Sequence, residues 1–325
     1  MDLSVIIVNW NTKDLLKGCL YSIKKNTDNN RVKVIVVDNA SSDGSRKMVQ
    51  TLFNDVVLIN SGGNIGFAKA NNLAIPNVNT PFILFLNPDT QVEADTIDAM
   101  IKFIKENPSI GALGCKMKSP LGVFPTDKDA HGLGLQWFPS PMKELLTILL
   151  ISEKTVSMLR RYFPYHDPNI SGYVSKLYGG CLMVRKEVLD QIGYFDERFF
   201  MYCEDVDLCK RIIEGGWKLF YMSEVEIIHL VGGATSRASD HFSTLMMCES
   251  VSKMIEKYYK KRGKLFYRLA VFSGSYVRLF ILILFKIISM ILFPNILKID
   301  YKKSFSKYIM MIKWSLNLQK PIIKN

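Results

Sequence analysis

The sequence predicts an α/β fold built on a mostly parallel sheet with helices on both faces, and three observations carry that expectation. Short β-branched runs alternate with stretches of helical period through the first 115 residues. Polar residues cluster directly behind those runs, where an open parallel sheet has its ligand crevice. A chain of 325 residues, 48% hydrophobic and 22% charged, can bury one large core or two modest ones, which excludes a disordered chain.

The expected strands are Leu3 to Val8, Val32 to Val37, Val56 to Ile59, Phe82 to Leu86 and Ile110 to Gly114. Helices from Thr12 to Lys25, Ser45 to Phe53, Phe67 to Ala74 and Ala94 to Glu106 fill the intervals. From about Lys118 to Ser175 the pattern breaks, with Pro120, Pro125, Pro139, Pro141, Pro164 and Pro168 among aromatics, as in an insertion that shapes an acceptor site. Within it, Met142 to Ile151 is apolar enough for a short helix, either buried or facing a membrane. Order returns with a strand from Leu177 through Val184, a helix at Lys186 to Ile192, and another from about Val206 to Glu214 that Gly215-Gly216 closes. Two short strands, Lys218 to Met222 and Val225 to His229, then lead to Gly232-Gly233.

The net charge of +12 is unevenly placed. From Lys253 to Asn325, 16 Lys and Arg face only Glu256 and Asp300, which leaves the first 252 residues at about −2 and the tail at about +14. That tail also holds the most apolar run, Leu269 to Phe293, interrupted by Arg278 and Lys286. Their spacing of eight puts the two charges within about 80° on a helix, as a helix lying in a membrane interface requires. An anionic membrane surface is therefore an expected partner, through a helix that lies on the bilayer or spans it; a buried C-terminal helix with a solvated basic face is the alternative. The charge lies in an apolar tail rather than among stacking aromatics, so no nucleic-acid partner is expected. Asp2 stands where a secretory leader has basic residues and the first apolar run ends at Val8, so the expected location is the cytoplasmic face of the membrane. Six cysteines without a Cys-x-x-Cys pair are expected to be reduced, mostly buried thiols, with neither disulfides nor zinc.

The stretch from Phe195 to Asp207 sets five carboxylates among aromatics just ahead of a helix. Carboxylates near apolar neighbours, and near each other, have displaced pKa values, the means by which proteins build a general base or a cation site. Asn9-Trp10-Asn11, Asp38-Asn39, Gly62-Gly63-Asn64 and Asn87-Pro88-Asp89 follow strands and are expected to converge on one crevice.

Six motifs in order carry a resemblance. Val5-Ile6-Ile7-Val8-Asn9-Trp10-Asn11, Val36 to Ser45, Asn64-x-Gly66-Phe67-Ala68, Leu86-Asn87-Pro88-Asp89, Gly193-x-Phe195-Asp196-Glu197-x-Phe199-Phe200 and Glu204-Asp205-Val206-Asp207-Leu208 resemble the inverting family 2 glycosyltransferases, and more narrowly their rhamnosyltransferase-like branch. The likeness covers about residues 3 to 240. It implies a GT-A fold, Rossmann-like, and transfer of a sugar from a nucleotide diphosphate. It also implies a domain over 1–240, with a nucleotide-binding half at 1–115 and an acceptor and catalytic half at 116–240; residues 241–325 form a basic, apolar, membrane-associating tail.

By that resemblance Val8, Asn9, Trp10, Asp38, Asn64, Gly66, Asn87 and Asp89 face the dTDP- or UDP-sugar, with Asp38 contacting the base and Trp10 stacking on it. Asp89 stands where relatives place the second carboxylate of an Asp-x-Asp motif, and Asn87 departs from that pattern. Asp89 and His229 are the implied ligands of Mn²⁺ or Mg²⁺, an imidazole favouring Mn²⁺. Asp205 is the expected general base, since inverting transfer needs one carboxylate to take the proton of the acceptor hydroxyl. Glu204 is placed beside it in catalysis, with Glu204, Asp207 and Tyr202 toward a glycan or lipid-linked glycan acceptor. Asp196 and Glu197 are expected to order their loop, and Arg211 to pair with Asp207. L-Rhamnose from dTDP-rhamnose is the expected donor; other sugars and an oligomeric state stay open. A sugar-phosphate nucleotidyltransferase would want a basic glycine-rich loop where Asn9-Trp10-Asn11-Thr12 stands, and a non-catalytic glycan-binding scaffold would not need Asp38, Asp89, Asp205 and His229 together.

Overall fold

The structure, a computed structural model, describes residues 1–28, 30–118, 138–141, 166–230, 241–292 and 301–321. The expected helix at Met142 to Ile151, most of the proline-rich insertion and Gly232-Gly233 lie outside them.

The chain divides into two compact units, one of Met1–Phe138 and Arg160–Arg237 with Lys324–Asn325, the other of Pro139–Leu159 and Ala238–Ile323. In the first, strands β1 (Leu3–Asn9), β2 (Val32–Asp38), β3 (Val57–Asn60), β4 (Phe82–Leu86), β5 (Thr90–Val92), β6 (Ile110–Lys118), β7 (Gly172–Val174), β8 (Cys181–Arg185) and β9 (Lys218–His229) form one sheet. Its order is β3-β2-β1-β4-β8-β6-β9-β5, with β7 on β9. Pairing is parallel from β3 to β4 and between β6 and β9, and antiparallel where β8, β5 and β7 join.

Alternation along β1 shows how the core is divided. Leu3, Val5 and Ile7 point to the layer of α1 (Lys13–Asn26), α2 (Ser45–Leu52) and α4 (Thr96–Glu106), with Leu16, Met48 and Ile101 packed against them. Ile6 and Val8 point to the opposite layer, of α3 (Phe67–Ala74), α5 (Lys186–Ile192) and α6 (Glu204–Glu214), which contributes Ala70, Leu189, Leu208 and Ile212. Burying a side chain such as Leu208 or Ile212 stabilises α6 on the sheet by about 1.5–3 kcal/mol each.

Several elements differ from expectation. The two strands expected before and after residue 223 are one, because β6 pairs with β9 on both sides of a register shift between Met222 and Glu226. The strand expected from Leu177 starts only at Cys181, since the Gly179 amide donates to a carboxylate instead of a ladder. Helix α6 starts at Glu204, not Val206. The three-residue strands β5 and β7 were not anticipated.

The second unit contains α7 (Phe242–Leu292) and α8 (Tyr301–Ser315). Helix α7 is broken at Lys260, whose φ of 61° and ψ of −173° suit glycine rather than a side-chain residue. Beyond the break, α8 packs back on α7: Trp314 is buried edge-on to Tyr267, its indole donates to Glu249 Oε2 (3.0 Å), and the Arg268 guanidinium lies over its ring. Large apolar side chains such as Leu265, Leu269, Phe280, Ile283, Phe285 and Ile288 stay exposed. Among the described residues, α7 alone is long and apolar enough to cross a membrane, by length and composition.

Candidate active site

The crevice is built at the carboxyl ends of β1, β2 and β4. Register aligns Asn9 with Asp38, and the Asn9 amide donates to Asp38 Oδ1 (3.2 Å) and to Ser41 Oγ (2.9 Å). Asp38 Oδ2 accepts from the Ser41 amide (3.2 Å), so both oxygens are engaged and the residue is only 1% exposed. Thr12 donates to Asn9 Oδ1 (2.6 Å). Asn9 and Asp38 are thus the buried brace of this corner, and the Val8 side chain is core packed with the α3 layer. The neighbours reach the crevice: Trp10 is half-buried, with its enclosed Nε1 meeting no hydrogen-bond partner among the described residues. Asn64 Oδ1 accepts from Asn39 Nδ2 (2.9 Å) and draws the glycine loop to the end of β2.

Gly66 has a different reason to be glycine than a ligand's approach. Its φ is 86°, and a Cβ there would stand 2.6 Å from the Phe200 carbonyl oxygen. That carbonyl also accepts from the Phe67 amide (2.6 Å). Gly66 therefore seats the aromatic, acidic stretch on α3.

Asp89 and His229 meet as the resemblance implied. Strand β5 begins just after Asp89 and pairs with the end of β9, Thr90 opposite His229, and the Leu230 amide donates to the Asp89 carbonyl (2.8 Å). His229 Nε2 lies 3.1 Å from Asp89 Oδ1, with the residues 2% and 7% exposed. One carboxylate and one imidazole fit a Mn²⁺ whose remaining positions substrate phosphates fill. The Asn87 carbonyl accepts from Thr90 Oγ1 (2.7 Å), and its amide nitrogen would be 3.3 Å from a Cβ on Gly180.

The acidic stretch closes the other wall. Tyr202 and Cys203 are both left-handed, with φ of 70° and 67°, and this strained turn swings α6 so that its first carboxylates point inward. Asp205 Oδ2 accepts from the Gly179 amide and Oδ1 from the Val206 amide, each at 2.8 Å. Glu204 and Asp205 are 6% and 9% exposed. Burial raises both pKa values; the charge of Asp205 raises that of Glu204 further, while the Gly179 and Val206 amides and Lys176 pull Asp205 back. Asp207 is 0% exposed. Its Oδ2 accepts from Arg211 Nε (2.8 Å), and the same guanidinium donates to the carbonyls of Ile192, Gly193 and Tyr194. The expected Arg211 pair is present, and through it this carboxylate anchors the α5–α6 connection. Asp196 and Glu197 order their loop, Asp196 Oδ1 accepting from Arg198 Nε (2.9 Å) and Glu197 Oε1 from Asn72 (3.2 Å).

Tyr178 escaped the sequence reading. Its ring lies on Gly180, 2.6 Å from where a Cβ would stand, and 6.1 Å from the His229 ring, centroid to centroid. Burial, reinforced by the Asp205 and Asp89 carboxylates, holds its phenol protonated. The Gly179-Gly180 pair was the available signal, since both leave room that Asp205 and Tyr178 fill. All six cysteines are buried free thiols, and burial pushes Cys19 and Cys209 up to about 12, which keeps them unreactive.

Known proteins resemble this chain in sequence and in fold. The chain is 29% identical over 269 residues to the N-acetylglucosaminyl-diphospho-decaprenol L-rhamnosyltransferase of Mycobacterium tuberculosis, covering 74% of this chain and 82% of that one. It is 28% identical over 233 residues to the rhamnosyltransferase WbbL of Escherichia coli K12, covering 69% and 82%. Among solved structures, the mannosyltransferase PcManGT from Pyrobaculum calidifontis, in complex with GDP-Man and Mn²⁺, superposes with a TM-score of 0.53 at 15% identity over 97% of this chain and 86% of that one. GalNAc-T7 with UDP, GalNAc and Mn²⁺ gives 0.58 at 13% identity, over 82% and 50%. At such identities the likeness establishes the fold, which is GT-A. Residues 4–193 match the sequence profile of Glycosyl transferase family 2, and the chain belongs to that family.

Proposed function

We propose that this glycosyltransferase moves L-rhamnose from dTDP-rhamnose to a lipid-linked or cell-surface polysaccharide acceptor at the cytoplasmic face of the membrane, inverting the anomeric carbon in a single displacement. One observation carries the reading: the Tyr178-Gly179 segment joins two buried sets, the Tyr178 ring standing 6.1 Å from that of His229, the partner of Asp89, and the Gly179 amide donating to Asp205 beside Glu204. The first set suits a donor diphosphate, the second an acceptor hydroxyl. The names of the relatives support the sugar, and the mycobacterial one supports a lipid-linked acceptor.

In this mechanism Asp205 takes the acceptor's proton at its carboxylate as the acceptor oxygen attacks the anomeric carbon and the nucleotide diphosphate departs. The Gly179 and Val206 amides fix the orientation of that carboxylate. Asp89 and His229 would hold the divalent ion, which when bound offsets charge on the leaving diphosphate. Trp10 and Asn64 flank the nucleoside, and the brace of Asn9 and Asp38 keeps them in place. Exposed apolar side chains and the basic residues of α7 and α8 supply the membrane surface.

A thermal-shift screen of dTDP-, UDP- and GDP-sugars with Mn²⁺ or Mg²⁺ tests the donor side, dTDP-rhamnose with Mn²⁺ giving the largest shift. No stabilisation by any nucleotide sugar would sink the proposal. Asp205→Asn is expected to keep donor binding and abolish transfer; retained turnover would move the base elsewhere.

A further inference from the structure

We infer that the buried pair of Glu204 and Asp205 carries a single proton and that it resides on Glu204, a neutral carboxylic acid that leaves Asp205 as the ionised base. This rests on the reading of Asp205 as base. The hydrogen bonds separate the two carboxyls. Both Asp205 oxygens accept backbone N–H bonds at 2.8 Å, which favours its charged form. Glu204 is 6% exposed, and its Oε2 is enclosed with no hydrogen-bond partner among the described residues. A negative charge on that oxygen would have neither water nor a donor to answer it, whereas a protonated carboxyl carries its own O–H. Sequence adjacency at one strained turn keeps the pair together, and close like charges in a buried site do not both ionise.

The groups facing the pair reinforce the division. Tyr178 comes from the segment before β8, Tyr202 from the turn and Asp89 from the β4–β5 connection; burial keeps the Tyr178 phenol protonated, and Asp89 acts on Tyr178. Lys176 is the cation that acts on the pair, and it acts on Asp205. Cys209, on the same helix, is a protonated thiol. Burial and Asp205 raise Glu204 well above the usual carboxylate range, against a smaller opposing pull from its own backbone amide. With a raised folded-state pKa, Glu204 contributes stability that is complete below the unfolded carboxylate pKa and is lost as pH rises through the folded value.

Infrared spectra of the full chain at neutral pH, without donor or acceptor, provide the test. A protonated-carboxyl C=O band that shifts in D₂O is expected in the wild type, absent in Glu204→Gln and retained in Asp205→Asn. Its absence from the wild type, its loss in Asp205→Asn, or its persistence in Glu204→Gln overturns the assignment. The D₂O shift needs no variant, so a misfolded mutant does not remove the first criterion. Activity supplies a second readout. Gln mimics the neutral acid, so the acid limb of the kcat/KM profile keeps its pH in Glu204→Gln while kcat falls less than in Asp205→Asn. A shift of that limb to lower pH would mean that Glu204 had been charged, and would overturn the inference. Failure of transfer to every acceptor tested would count against the proposed reaction and leave the infrared assignment standing.

Discussion

Replacing Asp207 with alanine would remove the carboxylate that answers Arg211 and leave a guanidinium, 17% exposed, bound only to three carbonyls. The pair is buried on its acidic side, 0% exposed, so solvent gives little compensation. Breaking such a pair by removing one partner costs about 3–5 kcal/mol. For a unit of this size each kcal/mol lowers Tm by about 2–4 °C, so the loss is roughly 6–20 °C. Differential scanning calorimetry reads the shift, and hydrogen exchange at the amides of Gly193 to Phe195 should quicken, because Arg211 holds that loop by its carbonyls. Below the melting transition the acceptor KM should stay within about twofold of wild type. A Tm within about 1 °C of wild type, together with a large rise in acceptor KM, would refute the anchoring role and restore Asp207 to the acceptor.

Other variants probe the remaining walls. Gly66→Ala forces a Cβ against the Phe200 carbonyl at a positive φ and should cost at least about 1–2 kcal/mol while slowing transfer, seen in urea melts and turnover; an unchanged melt would contradict the contact. His229→Ala should weaken Mn²⁺ binding by more than about tenfold in calorimetric titration with Mn²⁺ and dTDP, and equal affinity would remove His229 from the metal site. Removing residues after about Lys264 should release the protein from vesicles containing anionic lipid; a truncated form that still sediments with them would place the membrane surface elsewhere.

Which parts were legible in the sequence follows from the range of the interactions involved. Asp38, Asp89 and Asp205 announced themselves by following strands or preceding a helix, features a short window contains. Asp207 did not, because its fate depends on helix phase. With α6 starting at Glu204, the Asp207 amide already donates to the Cys203 carbonyl, and the side chain turns inward to Arg211, one turn on. Val8 and Asn9 match the family's donor-side motif, yet alternation along β1 commits Val8 to the core and pairing with β2 commits Asn9 to Asp38. Gly66 needs glycine for the sake of Phe200, far along the chain, and a backbone-to-backbone approach leaves no trace in either local pattern. Tyr178 reads as one more residue of an apolar run until Gly179 and Gly180 are seen to open space for it.

The register shift in β9 has a consequence for how this family can vary. Strand β6 holds β9 at Cys115–Met222 and again at Lys116–Glu226, with Ser223 to Val225 taken up between them. His229 faces Asp89 because the residues after that shift have the correct parity with respect to the sheet's two sides. A single insertion or deletion within Ser223–Val225 must be absorbed there, or it would rotate His229 to the opposite side of the sheet. Length changes at this corner should therefore be tolerated in pairs of residues, and a one-residue change that the irregularity does not absorb should part His229 from Asp89.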